Sequence, residues 1–285
     1  MVRSIILAAR VLLFLVLVSG SSLNATDVSS ASNTTAPFEL GFDFLVIVHG
    51  RVGDLDGLKF ILDTGSSHTV IDENVAHRLR LPRRPGKITN FDRDIPIEWM
   101  EIGELRAGPI RAARANVIVA KLNDYSEFTQ GVDGIIGLDL LSRGKKLSID
   151  YERHVVSFEA ADTQDGGPAP SQSFVVPIAV QGVRMSLIVD TGLRYVMLYK
   201  DRLRKGLPNV RTEGESRAAV IGRLHATQVN LPGVKIVGPE TVATVFLIDE
   251  PENGNLFGID GYLGPLSLHA TRIELDFAGH RLRWQ

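Results

Sequence analysis

Phe60-Ile61-Leu62-Asp63-Thr64-Gly65-Ser66-Ser67 and Leu187-Ile188-Val189-Asp190-Thr191-Gly192-Leu193-Arg194 carry the same Asp-Thr-Gly at the end of a short apolar run, and the two Asp are 190 − 63 = 127 residues apart. An apolar strand that ends in Asp, with Gly two residues later, brings a carboxylate to the tip of a tight turn. One such tripeptide is an ordinary strand-to-turn transition. Its weight here comes from what repeats with it.

Gly131-Val132-Asp133-Gly134-Ile135-Ile136-Gly137 matches Gly258-Ile259-Asp260-Gly261-Tyr262-Leu263-Gly264 at the same offset. After a slip of one residue, Leu147-Ser148-Ile149-Asp150-Tyr151 matches Ile273-Glu274-Leu275-Asp276-Phe277, with His154 and His280 in equivalent places. Units this long are not solenoid repeats; they read as two duplicated lobes.

Around these motifs the chain is a series of short β-branched runs separated by turns. Strands are expected at residues 44–48 and 58–62 in the first copy, at 174–180 and 185–189 in the second, and at 117–119 and 244–248. Helical pattern is confined to residues 73–79, residues 199–205 and a short turn after each Gly-rich repeat. The expected organisation is a signal peptide or N-terminal anchor at 1–22, a flexible leader at 23–37, an N-terminal lobe at 38–161, a linker at 162–172 and a C-terminal lobe at 173–285.

Composition narrows the function. The 285 residues are 44% apolar and 22% charged with net charge −2, so no electrostatic argument favours nucleic acid. Basic clusters at residues 78–84 and 200–205 read as solvated helix faces. With no cysteine there is no disulfide, thiol nucleophile or cysteine-held zinc. Seven histidines without ligand spacing give no metal site, and no cofactor is expected. His154 and His280, being repeat-equivalent, read as structural.

Arg3 and Arg10 precede the apolar run from Val11 to Val18, which is followed by Ser19-Gly20-Ser21-Ser22. Its length suits a signal-peptide core and is short of the roughly 20 residues that span a bilayer. Export to the periplasm or outside is expected; the alternative joins Ile5 to Val18 as an uncleaved anchor, the one route to a membrane contact.

Two carboxylates held close share one proton, because like charges raise one of the two pKa values. The ionised member can take a proton from water while the protonated member polarises a carbonyl. A buried Thr hydroxyl can tie two such turns together, and Gly lets a backbone N–H approach the carboxylate.

On these residues the chain resembles the pepsin/retropepsin-like aspartic protease superfamily, in which apolar-apolar-Asp-Thr-Gly-Ser/Thr/Ala is followed by two apolar residues and a Gly. Carrying both halves over roughly residues 40–285, it is similar to single-chain duplicated bacterial exported members. The resemblance implies an all-β bilobed fold of two duplicated lobes, with the active site and a cleft for a polypeptide substrate between them. It implies Asp63 and Asp190 as the catalytic dyad, supported by Thr64, Gly65, Ser66, Thr191 and Gly192. It also implies hairpin flaps within residues 86–103 and 214–230, where Trp99 is either a substrate contact or plain packing.

The second copy departs from the pattern. Leu193 and Arg194 stand where the first copy has Ser66 and Ser67. Leu193 removes a hydroxyl that usually supports the carboxylate. Arg194 either reaches Asp190 and lowers its pKa, or binds substrate, or points to solvent. A catalytically weak peptide-binding protein is therefore the alternative function. A serine hydrolase has little support, since Gly214-Glu215-Ser216-Arg217-Ala218 lacks the final Gly of a nucleophile elbow.

Overall fold

The computed structural model describes residues 33–90, 93–125, 129–160, 173–221, 224–235, 240–250 and 258–285. The segment 1–22 and the linker 162–172 lie outside the described residues. The fold is mostly β, as expected, and each copy of the repeat builds its own sheet.

The duplication is visible in the strand order. In the first copy neighbouring strands run Arg83–Asn90, Arg93–Ile102, Ala115–Ala120, Val70–Asp72, Gly134–Ile136, Leu55–Leu62, Leu45–Val52. The second copy repeats that order as Glu213–Ile221, Leu224–Lys235, Thr241–Ile248, Val196–Tyr199, Gly261–Leu263, Val183–Val189, Val175–Val180. In the second copy Val175–Val180 also pairs with Leu224–Lys235, which curls the sheet back on itself. The first copy adds a hairpin, Leu105–Ala107 with Ile110–Ala112, and the short strand Glu39–Gly41.

A third, five-stranded sheet joins the copies. Gly144–Asp150 of the first copy pairs antiparallel with Arg272–Asp276 of the second, Ile149 opposite Ile273. Val155–Ala160 and Arg281–Trp284 flank them. The repeat-equivalent histidines make equivalent contacts: His154 stacks on Phe38 at 5.3 Å and His280 on Phe174 at 6.2 Å. Both histidines adopt positive φ, 53° and 47°, so the repeat preserves a turn at these positions.

One expectation is corrected here. Asn33–Pro37, assigned to the flexible leader, is the outer strand of the joining sheet, paired with Val155–Ala160. Its Ser/Thr/Asn-rich surroundings carry no strand pattern of their own. The pairing comes from the exposed edge of Val155–Ala160, a tertiary partner that composition does not reveal. A smaller difference concerns the second helix, which is Lys200–Gly206 because Tyr199 ends a strand.

Alternation along the strands sorts the core. Phe60, Leu62, Leu187 and Val189 face the large cluster that runs through both copies. Ile61 and Ile135 face a smaller cluster with Val70, Ile88 and Leu122, and Ile188 and Tyr262 face a third with Leu193, Met197 and Phe246. No helix among the described residues is long and apolar enough to cross a membrane.

Candidate active site

Each Asp-Thr-Gly turn is held from below by the Gly-rich repeat. Gly134–Ile136 runs parallel to Leu55–Leu62 with Ile136 opposite Leu62, and Gly261–Leu263 runs parallel to Val183–Val189 with Leu263 opposite Val189. Asp63 N donates to Ile136 O and Asp190 N to Leu263 O, both at 3.0 Å. The Asp of each repeat explains why that residue recurs. Asp133 Oδ2 accepts from Lys59 N at 2.9 Å and Asp260 Oδ2 from Ser186 N at 2.8 Å, fixing the register of the strand that carries the turn. Gly137 and Gly264 lie against the turn backbones: a Cβ at either would come within 2.6 Å of His68 or Arg194 main-chain atoms.

The two turns interlock. Thr64 N donates to Thr191 Oγ1 at 3.0 Å, and Thr191 N to Thr64 Oγ1 at 3.1 Å. Each hydroxyl in turn donates across the interface, Thr64 Oγ1 to Val189 O at 2.8 Å and Thr191 Oγ1 to Leu62 O at 2.7 Å. The four bonds satisfy every polar atom of both buried threonine side chains, so the lobes meet in one register.

Asp63 and Asp190 are fully buried beside each other. Gly65 N donates to Asp63 Oδ1 and Gly192 N to Asp190 Oδ1, each at 2.8 Å. Each glycine also faces the opposite carboxylate. A methyl on Gly65 would occupy the space of the Asp190 carboxylate, and one on Gly192 would lie 3.0 Å from the carboxylate carbon of Asp63. The inner oxygens are thus bonded, while Asp63 Oδ2 and Asp190 Oδ2 receive no donor from the described residues. Burial pushes Asp63 up to about 6 against the backbone N–H groups that oppose it. Asp190 is raised further, by burial and by the Asp63 charge beside it. The pair favours a state with one proton.

Ser66 departs from its expected role. Its hydroxyl donates to His68 O at 2.8 Å, so it braces the turn rather than the carboxylate. Leu193 accordingly takes no hydroxyl bond away from Asp190; its side chain is buried in the third cluster instead. Arg194 is exposed, with its guanidinium 5.7 Å from the Tyr195 ring centroid, and it plays no part in setting the Asp190 pKa. Trp99 is half-buried on the hairpin Arg83–Asn90/Arg93–Ile102, edge-on to His68 at 5.2 Å, and packs against the second cluster. The two flap stretches are hairpins: this one, and Glu213–Ile221 with Leu224–Lys235 in the second copy.

Several residues of the site were not singled out by sequence reasoning. His68 bonds Ser67 Oγ through Nδ1 at 2.9 Å, and burial lowers its pKa to about 4, keeping the ring neutral against Trp99. Thr69 Oγ1 donates to the buried Asp139 at 2.7 Å and accepts from Gly137 N at 3.2 Å, tying the turn to the Gly-rich element. Burial raises Asp139 to about 6. In the second copy Tyr199 and Tyr262 bond through their hydroxyls at 3.0 Å within the third cluster. Asp139 follows Gly137 by two residues, and that position after the repeat was the signal available. No cluster of His, Asp or Glu suited to a metal occurs among the described residues.

Residues 48–140, which span the first turn and its Gly-rich partner, match the aspartyl protease family profile. That match spans about a third of the chain. Among solved structures, the aspartic proteinase from Irpex lacteus aligns with a TM-score of 0.50 at 13% identity, over 88% of this chain and 96% of that one. That alignment shows the bilobed fold. The retropepsin-like aspartic protease from Rickettsia conorii aligns over 46% of this chain and 92% of its own, at 17% identity and a TM-score of 0.32. No curated protein matches in a sequence search.

Proposed function

We propose that the protein is an aspartic endopeptidase in which Asp63 and Asp190 together activate water against a peptide bond. The observation that carries this reading is the reciprocal closeness of the turns, with Gly65 against the Asp190 carboxylate and Gly192 against that of Asp63. Such closeness costs free energy as long as both groups are ionised. A protein that only bound peptides has no evident need for it.

The chemistry follows from the unequal pair. Asp63, the less raised of the two, is the ionised base, and Asp190 carries the shared proton. Water bound between the outer oxygens loses a proton to Asp63 as its oxygen bonds to the peptide carbonyl carbon. Asp190 transfers its proton to the carbonyl oxygen, giving a neutral tetrahedral diol. Asp63 then returns its proton to the leaving nitrogen as the C–N bond breaks, and Asp190 recovers a proton from the diol hydroxyl. Both carboxyls end as they began, and no covalent intermediate forms.

The substrate is a polypeptide lying in the cleft between lobes, with Trp99 and Arg194 as candidate contacts. Export rests on residues 1–22 as a signal segment, with an uncleaved anchor as the other form of the same proposal. The protein without residues 1–22 is expected to cleave an unfolded polypeptide, and Asp63→Ala or Asp190→Ala to abolish cleavage. Robust cleavage by both variants would overturn the reading. Binding of peptides without cleavage across a broad library and pH range would favour the peptide-binding alternative.

A further inference from the structure

We propose that Arg194 is a specificity-determining residue that selects substrates carrying a carboxylate near the scissile bond. The inference rests on the endopeptidase reading and goes further by naming the substrate class.

The turn after Asp190 sends alternate side chains opposite ways. Leu193 is buried in the third cluster, while Arg194 turns out to solvent. The main chain between them is held in place: Gly264 N donates to Tyr195 O at 3.1 Å, and Gly264 leaves no room for a Cβ against Arg194 C. Arg194 therefore stands on a rigid support four residues from Asp190.

Its head group is also placed. The guanidinium lies 5.7 Å from the Tyr195 ring centroid, and that ring packs against Phe246 at 5.0 Å and against the third cluster. The same cluster contains Tyr262, which lies close enough to Asp190 for the carboxylate charge to act on its hydroxyl. Arg194 is thus linked to the surroundings of Asp190 through the Tyr195 ring and the third cluster.

The cation is unspent. Among the described residues Arg194 makes no ion pair and no hydrogen bond. Its neighbours along the chain are paired, Lys200 with Asp249 and Arg202 with Glu250. It does not serve the dyad either, since Asp190 is raised rather than lowered. The first copy offers no counterpart: Ser67 is buried and bonded to His68. In this proposal the guanidinium stands on one side of the scissile bond and has no counterpart on the other. A guanidinium is matched in charge and fork geometry by a carboxylate, which a Glu or Asp side chain or a peptide C-terminus could supply.

The test uses amidated peptides that place Glu, Gln or Lys in turn at each position around one scissile bond, with a parallel set bearing a free C-terminus. The proteins are the wild type, Arg194→Ser and Arg194→Lys. At one position the wild type is expected to favour Glu over Gln about tenfold in kcat/KM and to disfavour Lys. Arg194→Ser should bring the Glu/Gln ratio close to one, and Arg194→Lys should retain part of it. A preference confined to the free-C-terminus set identifies the terminal carboxylate as the source. A purely structural role would lower cleavage of Glu and Gln peptides alike, and an unchanged ratio in Arg194→Ser overturns the proposal, as does the absence of any preference in the wild type. If the wild type cleaves no peptide, the endopeptidase reading fails separately. Fluorescence anisotropy of the same peptides then decides: tighter Glu-peptide binding by wild type than by Arg194→Ser upholds the role of Arg194, and equal binding overturns it.

Discussion

Thr64 and Thr191 exchange backbone-to-hydroxyl bonds across the two copies, at 3.0 and 3.1 Å, and each hydroxyl donates onward to the strand that carries the other turn. This closed ring sets the distance between the carboxylates. Thr→Val at either position keeps the shape but removes the hydroxyl, leaving a buried N–H and a buried carbonyl unpaired. The expected loss is about 1–3 kcal/mol per orphaned group, with a fall in kcat. Thr→Ser restores the bonds and should recover most of both. Chemical denaturation and peptide cleavage on the same samples check this; full activity in Thr191→Val would contradict it.

The two glycines of the turns are predicted to differ. A methyl on Gly65 intrudes on the Asp190 carboxylate itself, whereas one on Gly192 lies 3.0 Å from Asp63. Gly65→Ala should abolish cleavage, and Gly192→Ala should leave a measurable remnant. Equal rates in the two variants would count against the geometry described.

Leu193 invites a different expectation from the one its sequence raises. Since Ser66 directs its hydroxyl to His68 O, restoring a hydroxyl by Leu193→Ser supplies no bond that Asp63 enjoys. It instead removes a buried side chain from the third cluster, at a cost of about 2–5 kcal/mol. The variant is predicted to melt earlier and to cleave no faster. A higher kcat would show that Leu193 restrains the dyad.

The pH dependence follows from the raised carboxyls. The active form has one proton on the pair, so kcat/KM should fall as pH drops below about 6, where Asp63 takes up a second proton. The alkaline limb, set by the higher Asp190, lies above it. The sign for stability is opposite. Groups raised above their ordinary value of 3.8 in the folded state contribute stability that is full below that value and is lost as pH rises through the folded pKa. Asp190→Asn removes this loss, so its melting temperature should gain on the wild type as pH rises from 3.8 through the raised folded value of Asp190. A constant difference across that range would contradict the raised pKa.

The sequence made the repeated parts of the site legible because their geometry is local. Asp63-Thr64-Gly65, Asp190-Thr191-Gly192 and the two Gly-rich elements lie in the same register in both copies, and the sheets reproduce that register strand for strand. What was hidden depends on long-range pairing or on rotamers. The contact of His68 with Trp99 is set by the placement of a hairpin over the turn, 31 residues along the chain (99 − 68). The bond from Ser66 to His68 O depends on one hydroxyl rotamer, and the same residue type would serve a carboxylate equally well. Asn33–Pro37 acquires its strand from Val155–Ala160 and not from its own composition.

The central claim is that Asp63 and Asp190 act as one unit, and cleavage of a single peptide by Asp63→Asn, Asp190→Asn and the double variant tests it most directly. Asn keeps the size of the side chain and its inner hydrogen bonds, so thermal melting should show each variant folded. The account predicts that each single variant loses at least about 10³-fold in kcat and that the double variant loses little more, since members of one catalytic unit are not additive. Near-wild-type kcat in either single variant would contradict it.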